Sequence, residues 1–421
     1  MGSISRAARR RSRREEEKGA RPEWATLEAF ARIKIQSWLQ DLLEEEMTEL
    51  LGRRKSARRA AVDAEAGYRN GHGKPRRLAM TAGTITVRRP RVRGLEVRFE
   101  SRMLPLFVRR TREVAELLPQ LYLHGLAQGD FELALRGLLG DGAPLSAASI
   151  ERLRAKWTLE YAAWRTQRLD QLEIVYAWAD GLYVKAGLED TKAALLVIIG
   201  ALQDGRKVVL AVESGQREST DSWARVLRDL RDRGLRPWKA TVADGHLGIW
   251  GALRAVGLGD EEQRCWNHKL TNVLDQLPKK VWPPAKELLR TLPYAETREE
   301  CERRRDEFAA RYRKLYPKAV ETLGRDWERM VTFYRFPQDH WTHLRTSNVV
   351  ESPFAAVRLR TDAAKRYKKV ANAEALIWKI LLIAEKKFRR LNAPALLKDV
   401  YAGRKFVDGV AVNKVNRKLA A

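Results

Sequence analysis

Three acidic side chains stand where chemistry could be done: Asp180 in Ala177-Trp178-Ala179-Asp180-Gly181, Asp244 in Thr241-Val242-Ala243-Asp244-Gly245, and Glu351 in Thr346-Ser347-Asn348-Val349-Val350-Glu351. Each aspartate falls where a short apolar, β-prone run meets a glycine, which predicts that both carboxylates emerge from the carboxyl ends of buried strands. That edge is where open α/β sheets bind ligands. Glu351 meets them only if the long intervening segment folds out of the way and returns. Three anions held together repel one another, and divalent cations relieve the repulsion. Two Mg²⁺ ions about 3.5–4 Å apart can clamp the attacking and leaving oxygens of an in-line phosphoryl displacement. The competing reading is three solvated surface acids out of the 54 that the chain carries, and spacing alone leaves both open.

The elements that must position these groups begin near Glu173. Four β-prone runs follow, 174–178, 182–185, 194–202 and 207–212, with turns signalled by Asp180-Gly181, Gly187 and Asp204-Gly205. A helix over 222–232, a strand into Asp244 and a helix through Trp250 and Leu253 complete an order that suits a mixed sheet flanked by helices. From 281 to 336 the pattern is helical, with Phe308, Tyr312 and Leu315 on one face and Trp327, Met330, Val331 and Tyr334 on another. Pro353 disfavours helical geometry at Ser352, so a helix capped by Ser352 is expected, with Glu351 just ahead of it. The cations Arg358, Arg360, Lys365, Arg366, Lys368 and Lys369 come next, a row suited to holding phosphates against the carboxylates.

Lys and Arg number 81 against 54 acids, a net charge of +27, so a polyanion is the expected partner. Nucleic acid leads, because each neutralised phosphate releases condensed counterions. An anionic membrane surface or a ribosomal role stays open on charge alone. With only Cys265 and Cys301 there is no disulfide framework, which suits a reducing cytoplasm. The longest apolar run, 193–202, is half the roughly 20 residues that a membrane-spanning helix needs. No apolar signal-peptide core follows the basic N-terminus, and residues 1–23 read as a charge-dense disordered tail.

An amphipathic helix is expected from Trp24 to Leu51, with Ile35, Trp38, Leu39, Leu42, Leu43, Met47, Leu50 and Leu51 on its apolar face and Gly52 as its stop. That face packs within its own domain or makes a dimer contact. Residues 53–66 read as flexible, and Thr84-Ile85-Thr86-Val87 as a strand. Arg89 and Arg91, crowded around Pro90, are candidates to lie along a DNA backbone, with a solvated face as the alternative. Between Arg112 and Leu159 three helical patterns are broken at Gly125 and at 140–144, and Ser146 signals the start of the third. Such a unit suits helix-turn-helix DNA reading, with Glu151, Arg152, Arg154 and Lys156 facing bases or phosphates.

Several stretches carry a resemblance beyond these patterns: 42–47 through Leu51-Gly52, Tyr68-Arg69-Asn70-Gly71, 83–87 with Arg89-Pro90-Arg91, Leu121-Tyr122 with Gly125, Leu145-Ser146 with Ser149-Ile150, and the two Asp-Gly pairs. Then come Arg264-Cys265-Trp266-Asn267-His268-Lys269 with Asn272-Val273, Arg345-Thr346-Ser347-Asn348 with Glu351, and Arg358-Leu359-Arg360-Thr361. From about residue 40 to 370 the chain resembles the Mutator-type transposases, bacterial insertion-sequence enzymes with a DDE core. The resemblance implies a ribonuclease-H-like α/β core (171–275 and 345–390), interrupted by an all-helical insertion (276–344). It implies Asp180, Asp244 and Glu351 as ligands of Mg²⁺, for which Mn²⁺ can substitute, with Cys265-x-x-His268 as the signature after the second aspartate. Mainly helical DNA-binding or dimerisation segments would precede the core (24–110 and 111–160), and a basic tail would follow it (391–421). The expected partners are transposon-end double-stranded DNA, target DNA and a second copy of the chain.

Cys265-x-x-His268 and His340-x-x-His343 together offer four zinc-type ligands, although zinc fingers usually begin with two cysteines. An auxiliary hydrogen-bonding role for His268 near the DNA strand or a metal-bound water fits better. Trp266 and Trp341 adjoin these residues and are candidates to stack on an unpaired end base, or else core tryptophans. Two rival functions remain at this point: a transposase-derived DNA-binding protein without chemistry, and a structure-specific nuclease that cuts but does not join.

Overall fold

The computed structural model describes residues 23–58, 67–96, 99–127, 130–139, 147–187, 192–215, 219–245, 247–364 and 366–412. Outside them lie the expected basic tail apart from Glu23, residues 59–66 of the expected flexible stretch, the Ser146 start signal, Lys365 and the end of the expected C-terminal tail. The chain divides into two units, one holding the described residues up to Tyr122 together with 126–151, the other holding 123–125 and those from Arg152 onward.

In the first unit, α1 (Leu27–Leu51) stops at Gly52, whose φ of 60° is the left-handed cap that glycine favours. Leu43, Met47 and Leu51 recur every four residues and are buried. Trp38 is 60% exposed, so the buried stripe is narrower than the apolar face read from the sequence. Leu43 packs with Leu78, Ile85, Val87 and Leu104. β1 (Tyr68–His72) pairs with β4 (Pro90–Arg93), and β2 (Arg76–Met80) with β3 (Gly83–Val87), all antiparallel. The open edge of β3 is closed by α1, because the Thr86 and Arg88 amides donate to Gln36 Oε1 and Gln40 Oε1 at 2.8 and 2.9 Å. Helices α2 (Arg112–Leu123), α3 (Phe131–Leu139) and α4 (Ala147–Arg165) follow, and α4 runs on into the second unit.

The second unit is built on a five-stranded sheet: β5 (Ile174–Lys185), β6 (Lys192–Leu202) and β7 (Lys207–Gly215) are antiparallel neighbours, then β8 (Trp238–Ala243) runs parallel to β5 and β9 (Gly259–Arg264) parallel to β8. The order across the sheet is β7-β6-β5-β8-β9. No turn interrupts Asp180-Gly181. These residues stay in the ladder opposite Val197 and Leu196, so the two short strands expected on either side are one strand of 12 residues. The long apolar run of β6 offers a partner along the whole length, and this pairing overrides the local Asp-Gly signal.

Alternation sorts β5 onto two faces. Ala177 and Ala179 join Trp223, Leu227 and Leu230 of α5 (Thr220–Asp232) and Trp250 and Leu253 of α6 (Leu247–Val256) in the main core. Tyr176 and Trp178 face the other way: the Tyr176 hydroxyl is 2.9 Å from His340 Nδ1, and the Trp178 indole donates to the His343 carbonyl at 2.9 Å. Asp180 shares their parity. After β9 the chain is helical through α7 (Trp266–Leu274), α8 (Trp282–Thr291), α9 (Arg298–Tyr312), α10 (Pro317–Gly324), α11 (Trp327–Met330) and α12 (Trp341–Leu344). Phe308 and Tyr312 are buried as expected; Leu315 lies beyond the end of α9 and is 72% exposed.

Helix α13 (Asn348–Ala364) begins earlier than Pro353 suggests. The Val350 and Glu351 amides both donate to the Ser347 carbonyl, at 2.9 and 3.1 Å, so Glu351 lies inside the first turn and Ser352 is not the cap. Proline at this position removes the bond that would reach the Val349 carbonyl and crowds that carbonyl with its ring. Burial of Val350, Phe354 and Val357, all at 0% exposure, holds the helix across it. Helix α14 (Val370–Glu385) then covers the edge of β7, where the Val209 and Ser214 amides donate to Glu385 and Glu374 at 2.6 and 2.7 Å. A short helix, α15 (Ala395–Tyr401), and a two-residue ladder, Phe406–Val407 with Val410–Ala411, end the described chain.

Candidate active site

Ala179 of β5 stands opposite Ala243 of β8 in the parallel ladder. The next residue in each case is an aspartate, Asp180 still within β5 and Asp244 just beyond the end of β8, so the two occupy neighbouring positions on strands about 4.8 Å apart. Asp244 emerges at a strand end as expected, whereas Asp180 leaves the parallel ladder while still paired to β6. Asp180 Oδ1 accepts from the Gly181 amide at 2.8 Å. Burial, joined by the charges of Asp244 and Glu351, pushes the Asp180 carboxyl up to about 7 against that stabilising bond. Three carboxylates from distant segments therefore share one electrostatic environment.

The segment 264–269 works as a set of struts. Gly245 has φ +103°, and a Cβ there would lie 2.2 Å from Arg264 Nε, so only glycine fits after Asp244. Arg264 Nε donates to the Asp244 carbonyl at 3.2 Å, and its Nη1 reaches Asp326 Oδ2 at 3.1 Å. The Cys265 amide donates to the Ala243 carbonyl at 2.7 Å, while Cys265 Sγ accepts from the Ser347 amide at 3.3 Å. Trp266 donates its indole N–H to the Met330 carbonyl at 2.9 Å, and its amide to the Arg345 carbonyl at 2.9 Å. Lys269 is fully buried, donating to the Thr322 carbonyl at 2.7 Å and to that of Arg325, and burial lowers its ammonium to about 7. Strand β8, helix α13 and the helical segment between them are thus tied through six consecutive residues.

Glu351 Oε1 accepts from the Ser347 hydroxyl and lies 3.8 Å from His268 Nδ1. A hydrogen bond with Cys265, then the charges of Cys265, Glu351 and Asp244, push the His268 imidazolium up to about 9 against its partial burial. Cys265, His268 and Glu351 each offer a ligand atom within 4.8 Å of the others. Four-ligand zinc is not assembled with the second histidine pair. His340 is engaged by Tyr176 and the Ala393 carbonyl, and His343 Nε2 accepts from the Asn392 amide at 3.2 Å, with burial lowering His343 to about 4. The three carboxylates, by contrast, are hard oxygen donors of the kind Mg²⁺ takes, and the raised Asp180 carboxyl reflects burial first and the charges of Asp244 and Glu351 second.

Trp266 and Trp341 are 1% and 2% exposed, so neither presents a ring to a base; both are core residues. Arg358, Arg366, Lys368 and Lys369 are exposed, but Arg360 is 3% exposed, which breaks the expected row of surface cations. Arg152 and Lys156 of α4 are exposed and Arg154 is half-buried. In the first unit, Arg89 and Arg91 line a cleft of about 920 Å³ together with Lys74, Arg76, Arg77, Arg93 and Arg109, and among the described residues no acidic one lines it. The sequence reading missed Asp326, whose only signal is structural: a φ of 57° and carboxylate bonds to both Arg264 and Arg329. Among the described residues no helix is long and apolar enough to cross a membrane.

The family description "Transposase, Mutator family" matches residues 9–390. The chain is 42% identical over 296 residues to the transposase for insertion sequence element IS6120 of Mycolicibacterium smegmatis, covering 70% of this chain and 92% of that relative. It is 40% identical over 283 residues to the transposase for insertion sequence element IST2 of Acidithiobacillus ferrooxidans, covering 66% and 95%. A solved Drosophila P element transposase strand transfer complex aligns over 67% of this chain and 83% of that one, at 12% identity and a TM-score of 0.28, too slight a likeness to bear on fold or site. On the extent of the family match and the identity to these relatives, the chain belongs to the Mutator family of transposases.

Proposed function

We propose that the chain cuts DNA at the ends of its insertion sequence and joins the freed 3′-hydroxyl to target DNA, with Asp180, Asp244 and Glu351 as the catalytic carboxylates. The observation that carries this reading is the pairing of Ala179 with Ala243, which puts the two following aspartates on neighbouring strands, and burial joined by the charges of Asp244 and Glu351 raises the Asp180 carboxyl beside them. The strand order β7-β6-β5-β8-β9, with three antiparallel strands followed by two parallel ones, supports a ribonuclease-H-like core.

Asp180, Asp244 and Glu351 would hold Mg²⁺, or Mn²⁺ in its stead. When bound, these cations neutralise charge on the attacking and leaving oxygens of an in-line displacement. Arg264 keeps the Asp244 turn closed, and Ser347 with the His268 imidazolium orients Glu351. The arginine-lined cleft of the first unit would bind the phosphate backbone of the element's ends. The exposed cations after Glu351 and on α4 would hold DNA near the carboxylates. Two ends per element call for two copies of the chain.

The test is cleavage and strand transfer on DNA carrying the element's own ends, with Mg²⁺, comparing the intact chain with Asp244→Asn. Both reactions should occur in the intact chain and vanish in the variant while binding persists. Cleavage without joining would make the protein a nuclease, and binding without either would make it a DNA-binding protein.

A further inference from the structure

A cleft of about 450 Å³ opens beside the acidic cluster, between α7 and α8. One wall is α7 through Leu270, Thr271 and Leu274, above the buried Trp266; the other is the α8 face of Trp282, Lys286 and Leu289. Arg290, Tyr294 and Arg345 complete a lining with three cations and no carboxylate. Tyr294 is 70% exposed, and the Arg345 guanidinium lies 4.9 Å from its ring centroid. Arg345 Nε is buried without a hydrogen-bond partner, although a buried polar group is nearly always paired.

Aromatic rings, a planar guanidinium and apolar walls suit the flat π-face of a nucleobase, while Lys286 and Arg290 suit its phosphates. The cleft also lies close to the chemistry. Asn267 on its rim donates to Asn348 Oδ1 at 3.2 Å, at the start of the helix that carries Glu351, and the next residue, His268, is 3.8 Å from Glu351.

We propose that this cleft takes one unstacked nucleobase from the DNA end at which the strand is cut, with Tyr294 as its stacking platform. The proposal rests on the DNA-end reading above, and adds to it a base-binding subsite distinct from the carboxylates. Tyr294 is then a specificity-determining residue that favours ends whose terminal nucleotide is readily unpaired.

The test uses the full chain in EDTA, so that nothing is cut, and follows fluorescence anisotropy with two versions of the element's end: one fully paired, the other unpaired at the nucleotides flanking the cut. The intact chain should prefer the unpaired end by about tenfold. Tyr294→Ala should remove the preference without weakening binding to the paired duplex, Tyr294→Phe should keep it, and an abasic residue in place of the unpaired base should abolish it in the intact chain. Equal binding of both DNAs by the intact chain, or a preference that survives Tyr294→Ala, overturns the cleft's role and leaves the DNA-end reading standing. No binding to either DNA overturns both. Polyglutamate bound by the intact chain and lost in Tyr294→Ala, with DNA binding unchanged, would make the cleft an acidic-peptide site and overturn the proposal. Because Tyr294 is exposed, melting curves of the variants should match the intact chain.

Discussion

The arginine-lined cleft of the first unit and the acidic cluster of the second handle charge in opposite ways. The cleft gathers cations of one sign on short two-stranded ladders, and Arg77, Arg91, Arg93 and Arg109 in it are exposed. Water and salt carry much of their mutual repulsion, so each contributes separately and modestly. The acidic cluster is tied down by buried groups: Arg264 at 9% exposure, Cys265 and Ser347 at 0%, and Lys269 at 0%. There charge is costly to bring together, and the arrangement is held by the hydrogen bonds of Arg264, Cys265, Trp266 and Lys269. Affinity can be built from replaceable parts, whereas chemistry needs a network that fails as a unit.

The sharpest way to break that contrast is Asp244→Asn, which should lower strand cleavage on the order of 10³-fold, read in a gel assay, with little change in DNA affinity. Loss of affinity in parallel would mean that the carboxylates serve folding or binding instead. Next in size is Arg264→Ala. It frees the Gly245 turn and leaves Asp326 with only Arg329, so urea melts should show a loss of about 2–3 kcal/mol and cleavage should fall along with it. Mg²⁺ offers a third measure: at ten times its dissociation constant it should raise unfolding stability by about 1.4 kcal/mol in the intact chain, an increment that Asp180→Asn loses in a thermal melt. The smallest effect belongs to the cleft. Arg91→Ala should weaken binding to all DNA sequences alike and lower the slope of log affinity against log salt by about 1, while stability stays within about 0.5 kcal/mol. A sequence-dependent loss there would make the cleft a base reader and bring it closer in kind to the acidic site.

The two regions also differ in how far they could be read. The aspartates, the strands that carry them and the segment 264–269 are legible because apolar β-prone runs and a distinctive order of residue types mark them. Strand β9, Gly-Asp-Glu-Glu-Gln-Arg, carries no such pattern; its polar side chains pair with Arg254, Arg329 and Arg335, and Gln263 is buried against the Met330 carbonyl and the Phe333 amide. Charged edge strands of this kind lack the alternation by which strands are recognised. In the first unit only β3 stands out, since β1, β2 and β4 all carry arginine, with a glycine in β1 and a proline opening β4, and become strands through pairing.

Local sequence alone marks the three candidate carboxylates, their order, the excess of cations and the helical character of the stretch before Glu351. These are properties of segments, set by side-chain type and periodicity. The tertiary structure alone decided that β5 runs unbroken through Asp180, that α13 starts at Asn348 despite Pro353, that Arg360 is buried while Arg358 is exposed, and that Trp266 and Trp341 belong to the core while Tyr294 remains at the surface. In each case the outcome depends on what the folded chain packs around the residue, often from a distant segment: the apolar length of β6 beside Asp180, the burial of Val350, Phe354 and Val357 around Pro353, and the Met330 carbonyl that the Trp266 indole reaches from 64 residues away. Burial and pairing are pairwise quantities, and local sequence holds only one member of each pair.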